Sequence, residues 1–138
     1  VDPKRYAGAT RATAQEASEN LLAANGDVVG IFCPNESTTF GMMLALKARG
    51  MNGKVKFIGF DSSKETVDAM AAGDINALVV QSPIRMGYLA VKAAADALAG
   101  KTVETRIDTG VTLISKDTMN TPESKELLSP DLKALLGN

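Results

Sequence analysis

The sequence contains no histidine and a single cysteine, Cys33. Without histidine, the commonest general base and the commonest metal ligand are both missing, so most hydrolytic and zinc chemistries fit poorly. One cysteine closes no internal disulfide, and Cys33, directly after Val28-Val29-Gly30-Ile31-Phe32, has the setting of a small buried hydrophobe. No Lys/Arg run occurs, and 15 basic residues against 16 acidic ones leave a net charge of -1, which lacks the electrostatic footprint of a nucleic-acid-binding protein. No stretch approaches the ~20 apolar residues needed to cross a bilayer. There is also no Gly-rich dinucleotide fingerprint, Walker loop, nucleophile elbow or Cys/His cluster, so no catalytic residue, cofactor or metal is expected and the chain is read as a non-enzyme.

What is present is an ordinary globular composition, 45% hydrophobic and 22% charged over 138 residues, enough for one domain with a real core. Short β-rich runs alternate with longer helical patterns, which predicts an α/β fold: a doubly wound parallel sheet with helices on both faces. A first helix is expected over about 7–24, with Ala14, Ala17, Leu21 and Ala24 on its apolar face and Asn25-Gly26 as its stop. Val28–Cys33 is expected as a buried strand. A second helix over about 38–49 carries Phe40, Met43, Leu44 and Ala48 on one face, with Ser37 as N-cap. Val55–Phe60 is a mid-sheet strand, since it is apolar almost throughout.

A capping pattern at Ser62-Ser63-Lys64-Glu65 opens the next helix, which turns Val67, Met70 and Ala71 inward and stops at Gly73. Ala77–Gln81 is the third strand. Pro83 suits the first turn of a helix running to Ala99 with a stripe of Met86, Leu89, Ala90, Ala93 and Ala97. Thr109–Ser115 is a fourth strand, and residues 116–138 form a surface tail with short helical turns. The chain enters its first helix with no strand before it, so its start is read as truncated.

Ligands of open parallel sheets bind beyond the carboxyl ends of the strands. The strand ends here lead into Asn35, Asp61 and Gln81. A carboxylate accepts from two hydroxyls at once, and the amides of Asn and Gln offer donor and acceptor together, which matches the demands of a polyol. Judged on residue type alone, the plainer role for such side chains is to cap helices and satisfy loop backbone.

The segments Asp27-Val28-Val29-Gly30-Ile31-Phe32-Cys33-Pro34-Asn35-Glu36, Ile58-Gly59-Phe60-Asp61 and Val79-Val80-Gln81-Ser82-Pro83, in that order, resemble the ribose-binding-like, type I periplasmic sugar-binding proteins of ABC transporters. The resemblance spans about residues 7–115. It implies that residues 1–115 are part of a C-terminal lobe and that Asn35, Asp61 and Gln81 hydrogen-bond a monosaccharide. It also implies that two lobes close on the sugar by a hinge, and that the closed form is recognised by permease subunits in the periplasm. The aromatic that the family places before the first helix falls near Ala9, with Tyr6 close by as a substitute. The N-terminal lobe has no counterpart here. Residues 84–100 would be a hinge-crossing helix whose stripe needs cover from that missing lobe, or from a second copy in a homodimer of the fragment; the plainer alternative is that the helix folds back on its own sheet. Two other readings compete. The effector-binding core of a LacI-type transcription regulator shares the Gly-Phe-Asp motif; a phosphoacceptor receiver domain shares the length but needs clustered acids that Cys33-Pro34 and Gln81-Ser82 do not supply.

Overall fold

A computed structural model describes residues 6–137. The order of elements is α1 (Arg11–Ala24), β1 (Gly30–Phe32), α2 (Glu36–Ala48), β2 (Lys56–Phe60), α3 (Lys64–Ala72), β3 (Ala77–Val80), α4 (Pro83–Leu98), β4 (Thr112–Ser115), α5 (Pro122–Leu128) and α6 (Leu132–Leu136). The four strands form one sheet in the order β1-β2-β3-β4, and β1, β2 and β3 are parallel. This is the α/β architecture expected from the alternation of strands and helices.

The helices begin where a side chain can take up their first free N–H groups. Thr10 caps α1, and Ser63 caps α3, each in a reciprocal box with the threonine three residues on. Gly73 ends α3 in the left-handed conformation, at φ 92°, that glycine adopts without steric cost. Several expected boundaries move: β1 is shortened to Gly30–Phe32, and β4 starts at Thr112 rather than Thr109. The first helix starts at Arg11 rather than near residue 7, because Thr10 provides its cap. The second starts at Glu36, and its cap is Asn35 rather than Ser37.

The buried faces also differ from those expected. On α1 the buried residues are Ala14, Ser18 and Leu22, and on α2 they are Thr38, Thr39, Gly41, Met42, Ala45 and Leu46. The two helices pack closely: a Cβ added at Gly41 would stand 2.5 Å from the Gln15 backbone nitrogen and 2.6 Å from the Ala14 carbonyl carbon. Small residues thus take the contact where larger Phe40, Met43 and Leu44 had been expected. On α3, Thr66, Ala69 and Met70 are buried and Ala71 is exposed. β1 is an edge strand with Phe32 59% exposed, not the buried strand its apolar run suggested.

The chain divides into two compact units. The first runs up to Val80 and resumes at Leu113; the second is Gln81–Thr112. Phe57, Leu46, Met70, Ile75, Leu78 and Ile114 are fully buried in the first. In the second, α4 has no buried residue. A shallow cavity of ≈ 290 Å³ lies between its Leu89 and Ala93 and the following Val103 and Ile107. Asp96 ties this unit together by accepting from Lys92 at 2.6 Å and Lys101 at 2.7 Å.

Candidate functional site

The strand register sets where the candidate residues leave the sheet. The last pair of β1 and β2 is Phe32 with Ile58, and Asn35 and Asp61 each follow that pair by three residues, in the segments that leave the carboxyl ends of these strands. Phe60 pairs with Val79, and the Asp61 N–H donates to the Val79 carbonyl at 2.8 Å. The first unit therefore carries Asn35 and Asp61 on one edge. Gln81 directly follows β3 and is the first residue of the second unit.

Asn35 is the N-cap of α2. Its Oδ1 accepts from the Thr38 N–H at 2.9 Å, from the Thr38 hydroxyl at 2.9 Å and from the Ser37 hydroxyl at 3.1 Å. The backbone donor identifies this atom as the oxygen, so the cap uses the acceptor end of the amide and not its N–H₂ donors. Capping thus does not by itself preclude ligand binding, which would use the other end of the amide.

Asp61 is half-buried and has φ 62°, the one positive value found outside glycine among the described residues. Aspartate tolerates this left-handed conformation better than most residues, yet it still costs on the order of 1 kcal/mol, and such strain gathers where side-chain direction matters. Tyr6 is 88% exposed. It lines a separate surface cavity of ≈ 320 Å³ with Gly8, Thr13, Glu16 and Asn20, a lining that includes none of the other three candidates.

Two features of this edge were not foreseen from the sequence. Arg11, at the first turn of α1, donates through Nε to Glu36 at 2.9 Å, pairs again through Nη2, reaches Glu65 at 3.5 Å and lies 3.8 Å above the Phe40 ring centroid. The Glu36 hydrogen bond raises the guanidinium pKa further, so this cation is permanent. On the acidic side, the Glu65 carboxyl is lowered by its own backbone N–H and then by the Ser63 hydroxyl. Thr39 is fully buried, accepts from the Phe60 N–H at 2.9 Å and donates to the Asn35 carbonyl at 2.8 Å. The sequence signal for it was slight: a threonine four residues past a cap, opposite a glycine in the neighbouring strand. Beneath the edge, burial pushes the Cys33 thiol up to about 12, with the Thr38 hydroxyl opposing weakly. Among the described residues no three His, Cys, Asp or Glu side chains group as metal ligands, and no helix is long and apolar enough to cross a membrane.

Residues 1–102 match the family described as periplasmic binding protein domain. The chain belongs to that family. The ribose import binding protein RbsB of Haemophilus influenzae is 38% identical over 99 residues, 72% of this chain and 33% of that protein. An ABC transporter solute-binding protein from Agrobacterium vitis, solved with bound D-fucose, superimposes with a TM-score of 0.86 at 38% identity, covering 93% of this chain and 44% of that one. A carbohydrate transporter solute-binding protein from Agrobacterium radiobacter, solved with D-arabinose, gives 0.84 at 36% identity, covering 90% and 42%. This periplasmic binding protein chain thus spans about a third of the curated relative's length and under half of the two solved ones. The ribose-binding-like resemblance drawn from the three strand-end motifs agrees with these matches.

Proposed function

We propose that the chain is part of the C-terminal lobe of a periplasmic protein that binds a monosaccharide and delivers it to an ABC importer, with Asn35, Asp61 and Gln81 as sugar ligands. The observation that carries this reading is that Asn35 and Asp61, with complementary chemistry, both leave the carboxyl edge of the sheet on segments that the Thr39 hydroxyl ties together. The Asn35 amide keeps its oxygen for the helix and offers two donors, while the Asp61 carboxylate is an acceptor. A sugar hydroxyl accepts from the first and donates to the second. Gln81 adds a donor and an acceptor of its own; Tyr6 stands apart from this reading.

The sugar is held between this lobe and an N-terminal companion, hinge closure buries it, and the permease subunits recognise the closed form. Binding is non-covalent throughout. The apolar stripe of α4, in which Leu89 and Ala93 are half-buried and Met86 is exposed, has its burial completed by the companion lobe. The H. influenzae, A. vitis and A. radiobacter proteins are solute-binding or import proteins, which favours transport over the regulator and receiver readings.

The test is calorimetric titration of the chain joined to its companion lobe against a panel of pentoses, hexoses and deoxyhexoses. One monosaccharide should bind, and Asp61→Ala should weaken it by about tenfold or more, ~1.4 kcal/mol. A protein that binds no sugar, or binds it equally well without the Asp61 carboxylate, overturns the reading. Mass analysis and sedimentation of the chain alone would separate the companion-lobe arrangement from a homodimer.

A further inference from the structure

We propose that Thr39 is a positioning residue for this site: its hydroxyl fastens the Asn35 turn to the end of β2 and so sets Asn35 and Asp61 relative to each other. The inference rests on the sugar-binding reading above and adds a residue that does not touch the sugar.

The ladder between β1 and β2 advances two residues at a time. Lys56 N–H donates to the Val29 carbonyl at 2.9 Å, and Cys33 N–H donates to the Ile58 carbonyl at 3.0 Å. The next donor on β2 is Phe60 N–H, at the point where β1 has already turned away into Pro34. That donor is taken by Thr39 Oγ1 at 2.9 Å. The same hydroxyl gives its one proton to the Asn35 carbonyl at 2.8 Å, and its 3.4 Å approach to the Phe60 carbonyl is therefore secondary. A side-chain hydroxyl thus stands in for a missing sheet rung, one residue before Asp61 and on the residue that caps α2.

The surrounding packing leaves Thr39 little freedom. It is fully buried, and it is β-branched, which limits its χ1 angle. Opposite it lies Gly59, where an added Cβ would stand 2.3 Å from Thr39 Cγ2. The absence of a side chain at Gly59 is the space that admits the threonine methyl. Asp61 follows two residues later in its left-handed conformation, so a shift of the Phe60 amide would change the direction of its carboxylate. Geometric errors of about 1 Å at a hydrogen-bonding site are enough to lose most of its affinity.

The test compares Thr39→Val, which keeps the shape and loses the hydroxyl, with Thr39→Ser, which keeps the hydroxyl and loses a buried methyl. Both are made in the chain joined to its companion lobe and titrated with the sugar identified above. Thr39→Val should weaken binding about fivefold or more, and Thr39→Ser should stay within about twofold of the parent although its melting temperature falls. A residue that only fills the core would instead make affinity follow stability. In an Asp61→Asn background the Thr39→Val effect should shrink below about twofold, because the group being aimed has lost its charge. Equal binding by parent and Thr39→Val, no recovery in Thr39→Ser, or an undiminished effect beside Asp61→Asn each overturns the proposal while leaving the sugar reading intact. If Thr39→Val does not fold, Thr39→Ala against Thr39→Ser makes the same comparison, since that pair differs only in the hydroxyl oxygen.

Discussion

Phe57, in the first unit, and Leu89, in the second, are both apolar residues on regular elements with clear sequence signals. Phe57 is sealed from solvent within a cluster that includes Leu46, Met70 and Leu78. Leu89 is half-buried on a helix where Ile84 and Met86 are exposed and no residue is buried. The helix signals are as good in the second unit as in the first: proline in the first turn of α4, and apolar residues at helical spacing. The difference teaches that periodicity announces a face that wants cover, while cover itself is a property of whatever lies opposite.

The sharpest test of this contrast is truncation. Phe57→Ala should cost about 3–5 kcal/mol in urea unfolding, whereas Leu89→Ala in the same chain should cost less than about 1 kcal/mol. Joining the companion lobe should raise the Leu89→Ala cost above about 1.5 kcal/mol. If it stays unchanged, the stripe is not covered by that lobe. A second pair contrasts the glycines. Gly41→Ala puts a methyl into the α1 backbone and should destabilise by about 1–3 kcal/mol. Gly87→Ala in α4 meets nothing within 4 Å and should be neutral or stabilise by up to about 1 kcal/mol through helix propensity.

Cys33 reports on the opening of the first unit. Its folded pKa is raised from the ordinary 9.0 to about 12, so the unfolded chain gives up its thiol proton first. The associated stability is whole below pH 9, falls as pH rises toward 12, and should be reduced by on the order of 1 kcal/mol at pH 10. At pH 8 the folded thiol should resist alkylation and react only as fast as the unit opens; rapid labelling of the folded chain would contradict its burial. The smallest effects separate two caps. Asn35→Ala should cost about 1 kcal/mol and Asn35→Asp less than about 0.5, because aspartate caps equally well. Ser82 makes no side-chain cap bond on α4, so Ser82→Ala should stay within about 0.5 kcal/mol. Asn35→Asp should nevertheless weaken sugar binding, since it removes the amide donors.

Much of the fold was legible because its signals are local. The alternation of apolar runs and Gly73 as a stop depend only on neighbouring residues, and the structure keeps them, whereas the α3 box is formed by Ser63 with Thr66, one residue later than the Ser62-to-Glu65 pattern. The misplaced caps are choices between nearby polar residues, while the misplaced faces depend on a second element. Asn35 rather than Ser37 caps α2, which opens the helix two residues early and commits the amide oxygen of a candidate ligand. The α1 and α2 faces differ from those expected because two helices meeting at Gly41 bury their smallest residues at the crossing. β1 is exposed because it is the edge strand of this sheet, a fact of sheet order rather than of hydropathy.

The sequence by itself determined the class of fold, the order of its strands and helices, and the placement of Asn35, Asp61 and Gln81 just past strand ends, because backbone period and turn chemistry act over a few residues. Only the tertiary structure decided that the Asn35 and Asp61 segments leave neighbouring strands and that the Thr39 bridge joins them. Those depend on strand register and on a side chain meeting a backbone group 21 residues away, and such contacts exist only once parallel strands have paired and the helices have closed over them.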